Sequence, residues 1–401
     1  MTTERITIPT TRGHELSGAL ELPAGGICGA ALFAHCFTCT KQSKAAIHVT
    51  RALAAEGIAT LRFDFTGLGG SGGEFGRAGF ATDVEDLVAT AHYLSDRFDG
   101  PLLLVGHSLG GAAVLSAVDD IGKDRVAAVA TIGAPADVPH VLERIDGDLE
   151  AIRETGEGEV SIGGRRFRLG RQFLERVEKA DLLTEVRKLR CPLMLLHAPT
   201  DALVGVENAG ELFQAAHHPK SFVSLDGADH LLTGEPDAQF AARMIAAWAS
   251  RYLPEAAADR PESGVTVRTG HGKFGTQIVT PTHRFVADEP ESYGGGDAGP
   301  TPYDYLLAAL GSCTAMTMKM YADRKGWPFA GTTIRLTHER DHHLDCDHCE
   351  EPGAKIQAIH RAIELDGDAL SDEQRAKLIE IADRCPVHRT IEVALHIHTA
   401  S

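Results

Sequence analysis

The sequence predicts two folded domains: an α/β domain whose mostly parallel sheet is covered by helices on both faces, followed by a smaller α+β domain. A chain of 401 residues exceeds the usual size of one domain. Continuous apolar runs alternate with helical patterns as far as residue 253. A short polar stretch bounded by prolines, residues 254–264, then separates this half from one with a different pattern. We therefore expect domains at residues 1–253 and 265–401, joined by a linker.

The apolar runs of the first half predict six strands of a sheet that is buried on both faces. They are Ala30–His35, Thr60–Phe63, Leu102–Val105, Val126–Ile132, Leu193–His197 and Ser221–Ser224. Helical patterns lie between most of them, for example over Phe80–Phe98 and Leu109–Val118. This alternation favours parallel strands, because a parallel pair needs a long crossover connection.

The alternation is interrupted by an insertion at about residues 136–190. Within it, Glu159–Arg168 predicts a β-hairpin that turns at Gly163 and Gly164. An insertion of this length is compatible with a lid over a site and with a surface excursion that has no role in catalysis. Its arginines are compatible with an acidic substrate and with a solvated face; they are Arg165, Arg166, Arg168 and Arg171.

The second half combines strands with a few long helices, which is typical of an α+β domain. A glycine-rich loop at Tyr293–Pro302 leads into a predicted helix over Tyr303–Lys325, and a second helix is expected over Ser371–Asp383. The predicted strands are Val265–Arg268, Thr276–Thr280, Thr333–Glu339 and Glu392–His398.

The charge and the apolar pattern narrow the classes of partner. A formal net charge of −17 disfavours nucleic acid and anionic membrane surfaces, because like charges repel. The first residues show no cationic segment followed by an apolar one, so we expect no secretory signal. No apolar run approaches the ~20 residues of a membrane span, so we expect a cytoplasmic protein without membrane insertion. In that compartment, eight cysteines predict mostly reduced thiols rather than a disulfide framework.

The segment from Val105 to Gly111, Val-Gly-His-Ser-Leu-Gly-Gly, contains a G-x-S-x-G motif centred on Ser108. It lies where a predicted strand ends and a predicted helix begins. The small residues permit a sharp backbone turn that exposes the serine hydroxyl. We interpret Ser108 as a nucleophile, and the alternative is a glycine-rich helix start with a capping serine.

A serine hydroxyl becomes a good nucleophile only when a neighbouring base takes its proton. His230 follows the last predicted strand of the sheet and is the candidate base. Asp201 follows the preceding strand and is the candidate acid that orients this base. Asp226 and Asp229 are alternative acids, but they stand too close to His230 in sequence to reach the far nitrogen of its ring. We assign His197 to the end of its strand.

The order Ser108, Asp201, His230 along the chain resembles that of the α/β-hydrolases. The stretch Arg62–Ser71 is also similar to the Asp-x-x-Gly-x-Gly-x-Ser segment that is common in that family. Within this stretch, Asp64 is expected to tie loops together near the site.

This resemblance covers about residues 15–253 and implies an α/β-hydrolase fold, a serine esterase or acyl hydrolase, a small-molecule ester substrate and no cofactor. It also implies two backbone N–H groups that stabilise the substrate oxyanion. One belongs to Leu109, directly after the nucleophile. The family usually has His-Gly-Phe where this chain has His35-Cys36-Phe37, so the second donor is assigned to Phe37. The preference for an ester, a thioester or an amide stays open.

Two cysteines in the second half carry a second resemblance. Cys313 ends the segment Pro-Thr-Pro-Tyr-Asp-Tyr-Leu-Leu-Ala-Ala-Leu-Gly-Ser-Cys, and Cys385 begins Cys-Pro-Val-His. With the glycine-rich loop, these segments resemble the OsmC and organic-hydroperoxide-resistance family of thiol peroxidases over about residues 262–401. The resemblance implies that the thiolate of Cys313 attacks an organic hydroperoxide. Cys385 then closes a disulfide, which a thiol reductant reopens.

The family supports its thiolate with an arginine–glutamate pair, and this chain departs from that pattern. The acidic position is Asp304, next to Tyr303, and the candidate arginines are Arg268, Arg284, Arg340 and Arg389. Members form intertwined dimers, so the resemblance implies a homodimer held by the OsmC-like half. The alternative is a hydrolase whose second half is a non-catalytic dimerisation module. A binding protein without catalysis conflicts with a complete Ser–Asp–His set.

A cluster at residues 338–349 places His342 near a Cys-x-x-Cys formed by Cys346 and Cys349. Such ligands suit zinc, but a single Cys-x-x-Cys lacks a second ligand pair at a standard spacing. These three residues are therefore weak candidates for a metal site, and a redox-sensitive pair or a polar loop are the alternatives.

Overall fold

The computed structural model describes residues 2–162, 164–253, 260–342, 355–393 and 396–399. The chain divides into two compact units, Met1–Ala298 and Gly299–Ser401. The strands are β1 (Thr2–Pro9), β2 (Glu15–Leu22), β3 (Gly29–Ala34), β4 (Ile58–Phe63), β5 (Leu102–His107), β6 (Val126–Ile132), β7 (Ile145–Asp146), β8 (Glu157–Ile162), β9 (Arg165–Gly170), β10 (Leu193–His197), β11 (Lys220–Ser224), β12 (Thr266–Thr269), β13 (Thr276–Val279), β14 (Arg284–Ala287), β15 (Gly331–His342) and β16 (Lys355–Asp366). The helices are α1 (Lys44–Ala55), α2 (Phe75–Ala78), α3 (Phe80–Ser95), α4 (Leu109–Ile121), α5 (Leu149–Thr155), α6 (Arg171–Glu178), α7 (Leu182–Lys188), α8 (Glu207–Ala215), α9 (Glu235–Ala249), α10 (Pro302–Lys325), α11 (Asp372–Ala382) and α12 (Pro386–Glu392).

One large sheet in the first unit has the strand order β1-β2-β4-β3-β5-β6-β10-β11. The strands from β4 to β11 in this order run parallel, whereas β1 and β2 form an antiparallel edge. Successive side chains of a strand point to opposite faces. In β3, Leu32 therefore packs into a core with α3 and α4, and Phe33 packs into a second core with α1 and α9. The predicted sheet with helices on both faces is confirmed.

All six predicted strands are present in this sheet. Val126–Ile132 and Leu193–His197 agree with β6 and β10 residue for residue. Continuous apolar runs predict such strands well, because both of their faces are buried. The sequence did not reveal β2, in which Glu15, Ser17 and Glu21 interrupt the apolar run.

Glu21 is nevertheless buried, because it pairs with a buried arginine. Arg62 of β4 donates hydrogen bonds to Glu21 Oε1 and, at 3.0 Å, to Thr50 Oγ1. Thr3 donates to the other oxygen of Glu21 at 2.7 Å. The side chains of Glu21 and Arg62 are only 1% and 5% exposed. Each charge therefore depends on the other for its compensation.

The insertion at residues 136–190 contains the small sheet β7-β8-β9 and the helices α5, α6 and α7. Strands β8 and β9 form the predicted hairpin, in which Ile162 pairs with Arg165. Gly163 lies outside the described residues, and Gly164 has a φ of 77°, a conformation that favours glycine. Helix α6 and strand β8 pack into the same core as α3 and α4. The insertion is therefore an integral layer of the unit.

Strands β12, β13 and β14 form a separate antiparallel sheet within the first compact unit. The linker predicted at residues 254–264 would instead assign these strands to the second domain. Residues 254–259 of that linker lie outside the described residues. The exact domain boundaries therefore stay predictions of the sequence.

The second unit pairs β15 with β16 in antiparallel register and packs helices around them. Met318 and Ala322 of α10 meet Leu378 and Ala382 of α11 in a small core. The sequence did not reveal β16, because its charged and apolar residues alternate without a clear buried run. Neither α10 nor any other helix of the described ranges is long and apolar enough to span a membrane.

The strand predicted over Glu392–His398 is wrong in the described residues. Cys385 caps a helix that begins at Pro386 and ends at Glu392, and residues 396–399 have no regular structure. Proline at the first helical position supplies a suitable φ and removes an N–H that would lack a partner. The helix that begins at this signal includes only the first residue of the predicted strand, Glu392.

The buried pair predicts a test of stability. Glu21→Ala should lower the free energy of unfolding by about 3–5 kcal/mol, because it leaves the buried Arg62 guanidinium without its carboxylate. Glu4→Ala is the matched control. Its partner Arg97 is 36% exposed, so the expected loss is only about 0–1 kcal/mol. Urea unfolding followed by circular dichroism measures both, and equal losses would contradict this account.

Candidate active site

Ser108 lies at the sharp turn between β5 and α4. Its φ of 54° is in the left-handed region, which non-glycine residues rarely adopt. A Cβ at Gly106 would lie 2.3 Å from the carbonyl oxygen of Gly110, and a Cβ at Gly110 would lie 2.4 Å from that of His35. Only glycine fits at these two positions. The spacing of the motif therefore has a direct geometric cause.

Ser108, His230 and Asp201 form a continuous chain of hydrogen bonds. His230 Nε2 lies 2.9 Å from Ser108 Oγ, and His230 Nδ1 lies 2.6 Å from Asp201 Oδ2. Asp201 Oδ1 accepts from the backbone N–H groups of Leu203 and Val204 at 2.9 and 3.0 Å. The structure thus brings together the three residues that the sequence selected as nucleophile, base and acid.

The surroundings of Asp201 favour its ionised form. Burial raises the pKa of the Asp201 carboxyl, but hydrogen bonds from His230 and from the N–H groups of Val204 and Leu203 outweigh burial and hold that pKa below its ordinary value. A carboxylate in this position fixes the orientation of the His230 ring and stabilises its protonated form.

The alternative acids have other partners. Asp226 accepts a hydrogen bond from Ser224 Oγ at 2.5 Å, and Asp229 accepts from backbone N–H groups of its own turn. His197 stands at the end of β10, where Nε2 donates to the backbone oxygen of Val204 at 2.8 Å. These contacts leave Asp201 as the acid in contact with His230 Nδ1.

Sequence reasoning missed His107, which contacts the base from the nucleophile turn. His107 Nε2 donates to the backbone oxygen of His230 at 2.6 Å. Burial, with a smaller contribution from His230, lowers the pKa of His107 to about 4, so its ring is neutral at neutral pH. The motif leaves this position free, so no sequence signal marks it.

Gly133 at the end of β6 was also not predicted. Its φ is 57°, and a Cβ there would lie 3.3 Å from His230 Nδ1 and 3.5 Å from Asp201 Oδ2. A side chain at this position would crowd the hydrogen bond between acid and base. Glycine after a buried strand is the sequence signal that could have indicated this close approach.

The loop after β3 contains the second candidate oxyanion donor. In the described part of the chain, the N–H groups of Phe37 and Leu109 have no acceptor. Both residues line one small cavity together with Gly110. Free N–H groups beside a nucleophile are the arrangement that an oxyanion hole requires.

Cys36 and Cys39 form a disulfide across this loop. The free cysteines of the described chain are Cys28, Cys191, Cys313 and Cys385. Most cysteines of the described chain are thus free thiols, as expected, but the sequence did not predict the 36–39 pair, whose separation of three residues lets two thiols close a turn. Between them, Thr38 has a φ of 55°. A β-branched residue in that region costs about 1–3 kcal/mol and must be held there by its surroundings.

The predicted lid insertion contacts the same loop. Four rings form a cluster with centroid distances from 4.8 to 6.4 Å: Phe37, Phe75, Phe167 and Phe173. Arg165 of β9 donates to the backbone oxygen of Thr38 at 2.9 Å. An aromatic content of 6% did not indicate this cluster. These contacts favour a lid over a surface excursion.

Asp64 has the tying role that the sequence suggested. It is 1% exposed and forms an ion pair with Lys41. Its carboxylate also accepts from the backbone N–H groups of Lys41 at 2.6 Å and of Gly70 at 2.8 Å. Asp64 therefore joins the loop after β3 to the loop after β4.

In the second unit, Cys385 is buried and Cys313 is half-buried. Cys385 Sγ accepts from the Thr314 hydroxyl at 3.6 Å and from the His388 N–H at 3.3 Å. Because Thr314 follows Cys313 directly, the structure brings the turn of α10 that carries Cys313 against the second cysteine.

An arginine that the sequence analysis did not select, Arg361, lies beside Thr314. Arg361 of β16 donates to Thr314 Oγ1 at 3.2 Å and to the backbone oxygen of Ala382 at 3.3 Å. It also forms an ion pair with Asp383. Arg361 was not among the four candidate arginines, because a single arginine in an alternating strand carries no distinguishing signal.

Asp304 does not support Cys313 within one chain. Its carboxylate accepts from the N–H of Thr301 at 2.9 Å and from its hydroxyl at 2.7 Å, which forms the capping box of α10. Nine residues separate Asp304 from Cys313, or about 13 Å along a helix axis. The acidic residue of the predicted thiolate support is therefore engaged in a helix cap.

Two of the three weak metal candidates lie outside the described residues. Strand β15 ends at His342, whereas Cys346 and Cys349 lie outside the described residues. Within the described ranges, no group of three or more His, Cys, Asp or Glu side chains is arranged to hold a metal ion.

The neutral state of His107 predicts a pH dependence of stability. Its pKa is about 4 in the folded chain and 6.5 without the fold, so the unfolded chain takes up the proton first as the pH falls. The free energy of unfolding should therefore decrease between pH 6.5 and pH 4, with up to about 3 kcal/mol due to His107. In His107→Gln this part of the decrease should be absent. Burial also lowers the pKa of His35, which affects both proteins alike. Urea unfolding across this range measures the difference, and identical pH profiles would contradict it.

Comparisons with known proteins agree with the fold. The model of the Alpha/beta hydrolase family matches residues 29–243, and the model of OsmC-like protein matches residues 294–399. A mitochondrial palmitoyl-protein thioesterase of Mus musculus is 31% identical over 159 residues, or 37% of this chain and 50% of that protein. The chain spans about half the length of the curated relatives it matches.

Solved structures share the fold of the first unit. An esterase domain from Rhodothermus marinus is 48% identical with a TM-score of 0.52, and the match covers 63% of this chain and 99% of that chain. Est1E from Butyrivibrio proteoclasticus is 21% identical with a TM-score of 0.54, and the match covers 62% and 98%. Since the hydrolase model alone matches more than half of the residues, this chain belongs to the alpha/beta hydrolase family and carries an OsmC-like domain at its C-terminus.

Proposed function

We propose that the chain hydrolyses esters or thioesters of small molecules through an acyl-enzyme on Ser108. The observation that carries this proposal is the continuous hydrogen-bond chain from Ser108 Oγ through His230 to Asp201. The 48% identity with the Rhodothermus marinus esterase domain supports ester hydrolysis. The name of the mouse relative, a palmitoyl-protein thioesterase, supports thioesters as the second class.

In the first half-reaction, Ser108 Oγ attacks the substrate carbonyl carbon while His230 Nε2 accepts the hydroxyl proton. Asp201 stabilises the imidazolium through Nδ1. The N–H groups of Phe37 and Leu109 donate to the oxyanion that develops on the substrate. The tetrahedral intermediate then expels the alcohol or thiol, which takes the proton from His230, and an acyl-serine is left.

In the second half-reaction, His230 accepts a proton from water as the water oxygen attacks the acyl carbon. The same two N–H groups stabilise the second oxyanion. Collapse of this intermediate returns the proton from His230 to Ser108 Oγ. A carboxylic acid is released, and the free enzyme is restored.

The surroundings of the loop after β3 favour an apolar acyl group. The proposed oxyanion donor is the backbone N–H of Phe37, and the ring of the same residue is apolar. The rings of Phe75 and Phe167 extend this apolar surface. Arg166 and the same two rings also line a large open cavity. Because Arg168 pairs with Glu157, part of the arginine face is neutralised, and an acidic group on the substrate stays an alternative.

The OsmC-like domain supports a second candidate activity, reduction of organic hydroperoxides. The Cys313 thiolate would attack the peroxide O–O bond, which releases an alcohol and leaves a sulfenic acid. Cys385 would then displace water and close a disulfide, which a thiol reductant reopens. The observation that favours this activity is the contact of Thr314, next to Cys313, with Cys385 Sγ at 3.6 Å. The alternative is a non-catalytic dimerisation module.

We also retain the homodimer as part of the proposal. Apolar side chains of α10 are exposed, with Leu306, Met316 and Met320 at 38%, 64% and 72%. Burial of such residues against a second copy would gain about 25 cal/mol per Å² of apolar surface. This exposure supports assembly through the OsmC-like domain.

The serine mechanism predicts the effect of two substitutions on ester hydrolysis. Ser108→Ala should lower kcat by about 10⁴-fold or more, because the nucleophile is lost. Asp201→Asn should lower it by about 10⁴-fold, because the amide no longer holds the reactive tautomer of His230. Initial rates with a series of acyl esters and thioesters measure both. Ser250→Ala, an exposed serine on the same unit, is the control and should keep full activity. Ester hydrolysis by Ser108→Ala at the wild-type rate would contradict the proposal.

The peroxidase candidate predicts a separate pattern. Cys313→Ser and Cys385→Ser should each abolish thiol-dependent consumption of an organic hydroperoxide by the full chain. Cys191→Ser is the control, because burial raises the pKa of Cys191 to about 11 and keeps its thiol protonated. Hydroperoxide loss followed by a colorimetric assay measures the rates. Equal consumption by all variants would support the dimerisation module instead.

A further inference from the structure

We propose that Cys36 and Cys39 form a redox switch of the serine site: the disulfide form holds the oxyanion loop in its catalytic shape, and the dithiol form releases it. This inference rests on the proposed function of Ser108. The Cys36–Cys39 pair is thus proposed as a site of reversible modification. A dithiol would reduce the disulfide, and an organic hydroperoxide would oxidise the two thiols.

The disulfide encloses one of the two proposed oxyanion donors. Cys36 and Cys39 are the ends of a four-residue turn, and the N–H of Cys39 donates to the backbone oxygen of Cys36 at 3.1 Å. Phe37 and Thr38 are the two residues inside the covalent ring. The direction of the Phe37 N–H therefore depends on the conformation of a loop that the disulfide closes.

The conformation inside the ring needs support. Thr38 has a φ of 55°, in the region that β-branched residues avoid. Neither Phe37 nor Thr38 inside the ring is a glycine, which would adopt this region without strain. The covalent link between Cys36 and Cys39 instead restricts the turn. When the link is broken, Thr38 is free to return to a common conformation and the N–H of Phe37 leaves the oxyanion position.

Noncovalent contacts also hold the loop, from α2 and from the insertion at residues 136–190. The Phe37 ring packs against Phe75 with centroids 6.0 Å apart, and exposed Arg165 donates to the oxygen of Thr38 at 2.9 Å. A hydrogen bond to an exposed side chain contributes little against water. We therefore expect the loop to change its conformation after reduction although the rest of the fold stays intact.

The two sulfurs differ in access. Cys36 is 5% exposed, whereas Cys39 is half-buried. A thiolate of a dithiol reductant would attack Cys39 Sγ, which breaks the S–S bond and releases Cys36 as a thiolate that takes up a proton. The second thiol of the reductant then attacks the mixed disulfide, frees Cys39 and leaves the reductant as its own disulfide. One disulfide is thus reduced and one dithiol is oxidised.

The reverse step needs an oxidant. The Cys39 thiolate would attack the outer oxygen of an organic hydroperoxide and break the O–O bond, which leaves a cysteine sulfenic acid. The departing alkoxide takes a proton from water and becomes an alcohol. The Cys36 thiol then attacks this sulfur, and water leaves as the disulfide closes. The same class of hydroperoxide is the substrate proposed for Cys313. An oxidant that engages the OsmC-like domain would therefore also activate the hydrolase.

The switch is tested with the full chain in two redox states. One sample is treated with dithiothreitol, the other with cumene hydroperoxide, and each is freed of reagent and checked by thiol titration of the Cys36–Cys39 peptide. The oxidised sample should hydrolyse a short-chain p-nitrophenyl ester with a kcat about tenfold or more above that of the reduced sample, because one oxyanion donor is worth about 10²–10³ in rate. KM should change much less than kcat.

Variants separate the loop from other thiols. Cys36→Gly/Cys39→Ser has no disulfide to close, and its rate should no longer respond to the redox state. Cys191→Ser should respond as the wild type does. Circular dichroism of both wild-type states checks that reduction leaves the fold intact.

The outcomes distinguish this inference from the proposed function. If both redox states hydrolyse the ester and react with a fluorophosphonate at equal rates, the switch is overturned and the serine hydrolase stands. If neither state hydrolyses the ester or reacts with the probe, the proposed function fails and the switch fails with it. A response that persists in Cys36→Gly/Cys39→Ser also overturns the switch.

Discussion

The close packing of Gly106 against Gly110, and of Gly110 against the carbonyl of His35, fixes the turn that carries Ser108. This turn holds a serine in a left-handed conformation, at a cost of about 1–3 kcal/mol. Strand β5 lies between β3 and β6 in the parallel sheet, so paired strands flank the strand that leads into this turn on both sides. Because the carboxyl ends of parallel strands meet at one edge, Asp201 after β10 and His230 after β11 reach the same place.

The rigid and the adaptable parts of the site have different supports. The nucleophile, base and acid follow strands of one sheet, and buried His107 and Gly133 fix their spacing. The Phe37 loop instead depends on the 36–39 disulfide, on the aromatic cluster and on contacts from the insertion. The proposed redox switch would therefore alter the oxyanion donors and leave the hydrogen bonds among Ser108, His230 and Asp201 in place.

The sequence predicted the features that follow from burial on two faces and from motif order. Continuous apolar runs marked the central strands, and strand ends marked Ser108, Asp201 and His230. The sequence did not predict features that depend on pairing between residues distant in the chain. Strand β2 contains Glu21, whose burial is compensated by its ion pair with Arg62. Arg361 lies near Cys385 because β16, which carries it, pairs with β15. The 36–39 disulfide was not predicted, because the expected location of the protein was used to infer the state of all cysteines together. That inference does not consider two cysteines close enough in sequence to bridge one turn.

The most direct test of the account is to find the atom that a hydrolase probe modifies. The full chain is treated with a fluorophosphonate, digested, and its peptides are mapped by mass spectrometry. We predict a single phosphonyl adduct on the peptide that contains Ser108, and we predict that the adduct is lost when His230 is replaced by alanine. An adduct on another residue, or a chain that remains unmodified while its fold is intact, would contradict the central claim that this turn carries an activated nucleophile.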